Sequence, residues 1–93
     1  MITARQSRAA RALLGWTQET LAERAQISLT ALKRLESESG LDVYETTRDR
    51  VRRALQVNGI VLLNPDDGEG VLLMRRPSDG SVTASSKGRS SNR

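Results

Sequence analysis

The chain has 93 residues, enough for one small domain with a modest core. It contains no cysteine and no histidine, which excludes disulfides, the usual zinc ligands and histidine-dependent nucleophilic catalysis. Fifteen Lys and Arg residues against eleven Asp and Glu leave a net charge of +4 and a pI near 10.6, and Lys33 and Lys87 are the only lysines.

Residues 1–58 carry apolar positions at spacings of three and four, the mark of helices packed along one face. Thr3 is placed to cap a first helix that runs to Leu14, with Ala10, Leu13 and Leu14 as its inward stripe and Gly15 closing it. Thr17 caps a second helix with Leu21, Ala22 and Ala25 inside. Ser28 caps a third with Ala31, Leu32 and Leu35 inside. A loop over Ser37–Asp42 precedes a fourth helix from about Glu45 to Asn58, whose inward residues are Thr47, Val51, Ala54 and Leu55, closed by Gly59.

Two apolar runs follow, Ile60–Leu63 and Val71–Met74, joined by the turn-rich segment Asn64–Gly70; they predict a β-hairpin. The hairpin is apolar on both faces, so one face can lie on the helices while the other would meet water. A second copy covering that outer face is the economical explanation. It predicts a homodimer held partly through Ile60, Val61, Leu62, Leu63, Val71, Leu72 and Leu73, the alternative being a hairpin folded wholly into its own core. Residues 77–93 are Ser- and Gly-rich, with Val82 and Ala84 as their only apolar residues; a disordered tail after a domain over residues 1–76 is expected.

The second and third helices share one internal pattern, apolar at i, i+1 and i+4, and only Gln26 and Ile27 separate Ala25 from the cap Ser28. Such a short turn forces a steep crossing. Ala22 is the small residue suited to the contact, with Ile27 filling the gap. This is the layout of a helix-turn-helix, whose second helix enters the DNA major groove. With Ala31, Leu32 and Leu35 inside, the other face carries Ser28, Leu29, Thr30, Lys33, Arg34 and Ser37, two positive charges and no negative one. Leu29 among polar neighbours is suited to a thymine methyl. An ordinary helical hairpin with Lys33 and Arg34 as a solvated face is the plainer reading, and the caps, small contact residue and short turn weigh against it. The arginine excess favours a nucleic-acid partner, while two aromatics, Trp16 and Tyr44, are too few for a single-strand stacking platform.

The stretch Arg8–Glu23, with Thr17-Gln18 and Leu21-Ala22, together with Ile27-Ser28 and Arg34-Leu35-Glu36, resembles the phage-repressor-like Cro/C1 (XRE family) regulators. Arg52-Arg53-Ala54-Leu55 and Gly59-Ile60 resemble the end of the short members that finish in a small hairpin. The likeness covers about residues 3–76. It implies a mainly α, lambda-repressor-like domain of four to five helices with a C-terminal two-stranded hairpin, acting as a homodimer on a palindromic double-stranded DNA operator. It also implies that Gln18 bonds a DNA phosphate, that Ser28 contacts the backbone and that Leu29, Thr30, Lys33 and Arg34 read bases or face the groove, with Thr17 and Ser37 also among the DNA-binding residues. Arg11 and Glu36 match a structural ion pair of the family. Two departures stand out: Gln26 occupies the usual glycine of the turn, and Ser37-Glu38-Ser39-Gly40 shifts the next glycine and sets an acid where the loop normally passes DNA.

Two other function classes are open to such a chain. The same fold can serve as an antitoxin or antiactivator that grips a protein partner through its hairpin or tail. An enzyme has little support: the acids Asp66, Asp67 and Glu69 lack the twelve-residue spacing of a calcium loop, and the serines have no base beside them. No cofactor or metal is expected. No apolar run approaches the roughly eighteen residues of a membrane span or the core of a signal peptide, so a soluble, cytoplasmic chain is expected.

Overall fold

The structure, a computed structural model, describes residues 2–37 and 43–75. The expectations for Glu38, for the rest of the loop at 38–42 and for the tail at 77–93 lie outside the described residues. The element order is α1 (Ala4–Leu14), α2 (Gln18–Ala25), α3 (Leu29–Glu36), α4 (Glu45–Gln56), β1 (Ile60–Leu63) and β2 (Gly70–Leu73).

Local chemistry explains the first three helix starts. The hydroxyls of Thr3, Thr17 and Ser28 accept from the N–H groups of Gln6, Thr20 and Ala31, so each helix has a side-chain N-cap. At Thr3 the cap is reciprocal, because the Gln6 side chain accepts from the Thr3 N–H. Helix α4 begins after Tyr44 with no side-chain cap, and the Tyr44 ring is exposed.

α1 and α2 end in the same backbone motif. In α1, Trp16 N–H donates to the Arg11 carbonyl and Gly15 N–H to the Ala12 carbonyl; in α2, Ile27 N–H donates to Ala22 and Gln26 N–H to Glu23. The motif needs a left-handed residue. Gly15 supplies it at φ 72°, whereas Gln26 adopts φ 60° with a side chain attached, alone among the described non-glycine residues. Arg50 Nη1 donates to the Gln26 carbonyl at 3.0 Å and so ties this turn to α4.

The core is Ile2, Ala10, Leu21, Ala22, Ala25, Leu32, Leu35, Val51, Ala54, Leu55 and Ile60. Leu13 is not part of it. At 47% exposure it lies outside the stripe expected of α1, which buries Gln6, Ser7 and Ala10 instead. The reason is the 3.6-residue period: Leu13 falls with Arg5 and Ala9 on the flank, while the inward face holds polar residues that the apolar pattern did not mark. α4 stops at Gln56, short of the expected Asn58. The chain then turns through Gly59, at φ 98°, where an added Cβ would lie 3.0 Å from the Met74 carbonyl oxygen.

β1 and β2 pair antiparallel with Ile60 opposite Leu73, Val61 opposite Leu72, Leu62 opposite Val71 and Leu63 opposite Gly70. The second strand is thus Gly70–Leu73, one residue earlier than expected. Alternation sends Ile60, Leu62, Val71 and Leu73 toward the helices and leaves Val61, Leu63, Leu72 and Met74 outside, each at least 38% exposed. Ile60, at 2% exposure, belongs to the chain's own core, so, contrary to expectation, it is not available to a second chain. Leu62, Val71 and Leu73 likewise pack against that core.

One side chain fastens the hairpin to the helices. The buried Gln6 amide donates to the carbonyls of both Leu63 and Gly70, at 3.1 and 3.0 Å, closing the far end of the ladder over α1. Beside it Glu69 accepts from Thr3 Oγ1 and from Arg5 Nε.

The left-handed Gln26 gives a direct test of backbone strain. Gln26→Gly is expected to stabilise the domain by about 0.5–1 kcal/mol in urea unfolding, because the Arg50 bond goes to a main-chain carbonyl and survives. A β-branched Gln26→Val is expected to destabilise it.

Candidate nucleic-acid interface

The outer face of α3 is open. Ser28, Thr30, Lys33, Arg34 and Ser37 are exposed and Leu29 is half-buried, while Leu32, Leu35 and Glu36 are buried behind them. The face is therefore one side of a rod whose other side is in the core. Neither Lys33 nor Arg34 has an ion-pair partner among the described residues. Ser28 Oγ accepts from Ala31 N–H, which leaves its own proton free to donate outward.

A buried carboxylate fixes the far end of α3. Glu36 is 4% exposed and its oxygens accept from Arg11 Nε and Nη2, from Ser7 Oγ at 2.6 Å and from Gln18 Nε2 at 3.1 Å. Arg8 Nη1 donates to the Glu36 main-chain carbonyl. Every partner is a donor, as an ionised carboxylate requires. Burial pushes the Glu36 carboxyl up, but the hydrogen bonds from Arg11, Ser7 and Gln18 and the charge of Arg11 outweigh it and hold the carboxyl below its ordinary value of 4.5.

Arg11 faces this carboxylate from α1 at 2.8 Å with a largely covered guanidinium, so it is scaffold and not part of the basic surface. Its Nη1 also donates to the Trp16 carbonyl at 3.3 Å, at the entry to α2. Gln18 is half-buried and uses one amide hydrogen on Glu36; its second amide hydrogen has no acceptor among the described residues. Thr17 caps α2 and its hydroxyl lies 3.0 Å from that of Thr20.

Two residues at this site, Ser7 and Trp16, escape pattern reading, and so does the bond of Gln18 to Glu36. Ser7 and Gln18 complete the Glu36 shell, and Trp16 carries Arg24 of α2 over its ring at 5.0 Å, a cation–π contact. Ser7 and Arg11 share a helix face four residues apart, a polar notch in an apolar stripe, and that spacing was the available signal. Trp16 offered none.

Residues 8–43 match the family model described as Helix-turn-helix. No curated protein and no solved structure matches the chain. The matched segment contains both helices and the turn just described, so the chain carries a DNA-binding helix-turn-helix. Over that segment the chain is similar to the Cro/C1-type (XRE) helix-turn-helix regulators. No helix among the described residues is long and apolar enough to cross a membrane.

The lowered carboxyl of Glu36 sets the direction of a pH effect. A depressed folded value means stabilisation that is present above about 4.5 and lost as pH falls through the lower folded value. Glu36→Gln, which strands the largely covered Arg11, is expected to cost about 3–5 kcal/mol at pH 7. The gap between parent and variant in urea unfolding should narrow steadily below pH 4.5; an unchanging gap would refute an ionised Glu36.

Proposed function

We propose that this chain is a sequence-specific regulator of transcription that binds a palindromic double-stranded DNA operator as a homodimer, with α3 of each copy in the major groove. The observation that carries the reading is the free face of α3, where Lys33 and Arg34 stand exposed beside Thr30 and a half-buried Leu29. Arg34 is assigned to a guanine edge, Leu29 and Thr30 to base contacts, and Lys33 to the groove or its phosphates. Thr17, Gln18, Ser28 and Ser37 are assigned to the DNA backbone, which fixes register without reading sequence. Half-sites would be centred one helical turn apart, about 34–36 Å. Repression or autoregulation follows from occupying promoter DNA, in the cytoplasm.

Capture of a protein partner is the competing role, and the exposed outer residues of the hairpin would serve it. The DNA reading is preferred because it uses the charged face of α3, which a hairpin-bound partner leaves unexplained.

Footprinting on the DNA that flanks the gene tests this. Arg34→Ala is expected to lose site preference, about 1–3 kcal/mol against the best competing sequence, while its unfolding curve matches the parent. Binding should weaken with salt at a log–log slope near −0.9 per phosphate neutralised. An Arg34→Ala protein that protects the parent's sites with parental affinity contradicts the assignment.

A further inference from the structure

The outer edge of β2 is open, and the pairing register says which groups lie on it. Met74 N–H donates to the Gly59 carbonyl at 2.8 Å, and alternation then makes Val61 with Leu72 and Leu63 with Gly70 the hydrogen-bonded pairs. The main-chain groups of Val71 and Leu73 therefore point away from β1, and among the described residues their N–H groups have no acceptor. Both residues are half-buried, so water reaches these groups only in part.

A groove follows the edge. One part is lined by consecutive residues Val71–Arg75 with Leu13, and its continuation by Glu69–Val71 with Arg5 and Ala9. Its far wall is the α1 flank, where Ala9 and Leu13 are exposed apolar residues outside the core. The described chain leaves the sheet at Arg75, at one end of this groove, with residues 76–93 still to follow.

We propose that residues 81–87 lie along the outer edge of β2 as a third strand, antiparallel to it, with Leu73 opposite Thr83 and Val71 opposite Ser85. This strand is independent of the DNA reading and of the homodimer. The turn chemistry selects the segment: Arg76-Pro77-Ser78-Asp79 has proline at the second position of a type I turn, and Gly80 follows. A five-residue hairpin loop of this build closes on Arg75 with Ser81. Hydrogen-bond parity agrees. Closure on Arg75 makes Leu73 and Val71 the bonded residues of β2, and these are the ones with unpaired groups. A four-residue loop closing on Arg76 would call on Met74 and Leu72, which already face Gly59 and Val61. A three-residue loop would close on Pro77, which has no N–H to give.

The side chains fit the same register. Paired residues share a face, so Val82 falls beside Met74 and Ala84 beside Leu72 on the exposed side of the sheet. Val82 and Ala84 are the only apolar residues of the tail. The small Ser81, Thr83 and Ser85 turn toward the α1 flank. Lys87 comes opposite Glu69, which Thr3 and Arg5 hold beside the groove, a base against an acid. The tail has too little apolar surface to order by itself. Tethering at Arg75 holds it at a high effective concentration beside the edge, and a third strand is what a marginal two-stranded ribbon lacks.

Amide hydrogen exchange on the full chain, at low and at high protein concentration, tests the strand. The Val71 and Leu73 amides are expected to exchange at least about tenfold more slowly in the parent than in Thr83→Pro, equally at both concentrations. Proline at 83 removes the donor to the Leu73 carbonyl and sets its ring against β2. In Ala84→Pro the ring points to the free side of the new strand, so that variant keeps the protection. Equal exchange at Val71 and Leu73 in the parent and Thr83→Pro overturns the proposal. Protection that grows with concentration and survives Thr83→Pro also overturns it, and places a second copy on the edge instead. A loss in Ala84→Pro as large as in Thr83→Pro contradicts the pairing of Leu73 with Thr83 and overturns the strand as assigned.

Discussion

The buried carboxylate of Glu36 is the constraint on which the presentation of α3 depends. A charge in the core is costly unless its lone pairs are taken up, and here donors arrive from both other elements of the motif: Ser7 and Arg11 from α1, Gln18 from α2. Arg8 adds a bond to the carbonyl of the same residue. Hydrogen bonds to a charge are directional and strong, so they fix the last turn of α3 more narrowly than apolar packing does. The first turn is fixed by the Ser28 cap and by the Gln26 turn that Arg50 holds from α4. With both ends set and Leu32 and Leu35 buried, the face of α3 that carries Thr30, Lys33 and Arg34 is held exposed.

The hairpin plays a different part. It contributes Ile60 to the core, it is closed over α1 by Gln6, and it leaves a row of aliphatic side chains and an open strand edge at the surface. The molecule thus separates two surfaces by chemistry. The α3 face is basic and polar, suited to phosphates and base edges; the hairpin and the α1 flank are apolar with isolated charges, suited to protein. Gln18 sits between the two ideas of its role, since its amide is already bonded to Glu36 and any phosphate it met would be felt by the carboxylate that holds α3.

Much of this was legible in the sequence, for identifiable reasons. Thr3, Thr17 and Ser28 are short hydroxyl residues directly before apolar-periodic runs, and each caps a helix. The apolar pattern of α2 and α3 located Leu21, Ala22, Ala25, Leu32 and Leu35 in the core, because apart from Glu36 the buried faces of those helices are hydrocarbon; Ala31 is only half-buried. Apolar spacing misplaces Leu13 of α1 since the buried face of that helix is largely polar: Gln6 and Ser7 are inside because particular carbonyls and a carboxylate await them, and no periodicity of hydrophobicity records that. Hairpin residues were found as a set, but their division into inner and outer faces needed the register, which a run of consecutive aliphatics does not specify. The contact of Arg24 with Trp16 depends on the tertiary arrangement and left no trace in spacing.

The central claim is that α3, held from behind by Glu36, is the surface that meets DNA. The most direct measurement is amide and side-chain chemical-shift mapping while a duplex bearing the footprinted site is titrated into the labelled protein. The account predicts that the largest changes fall on Ser28–Ser37, with the guanidinium of Arg34 and the side chain of Gln18 among them and the outer hairpin residues little moved. Changes concentrated on the hairpin or on α4, with the α3 face unmoved at saturation, would contradict it.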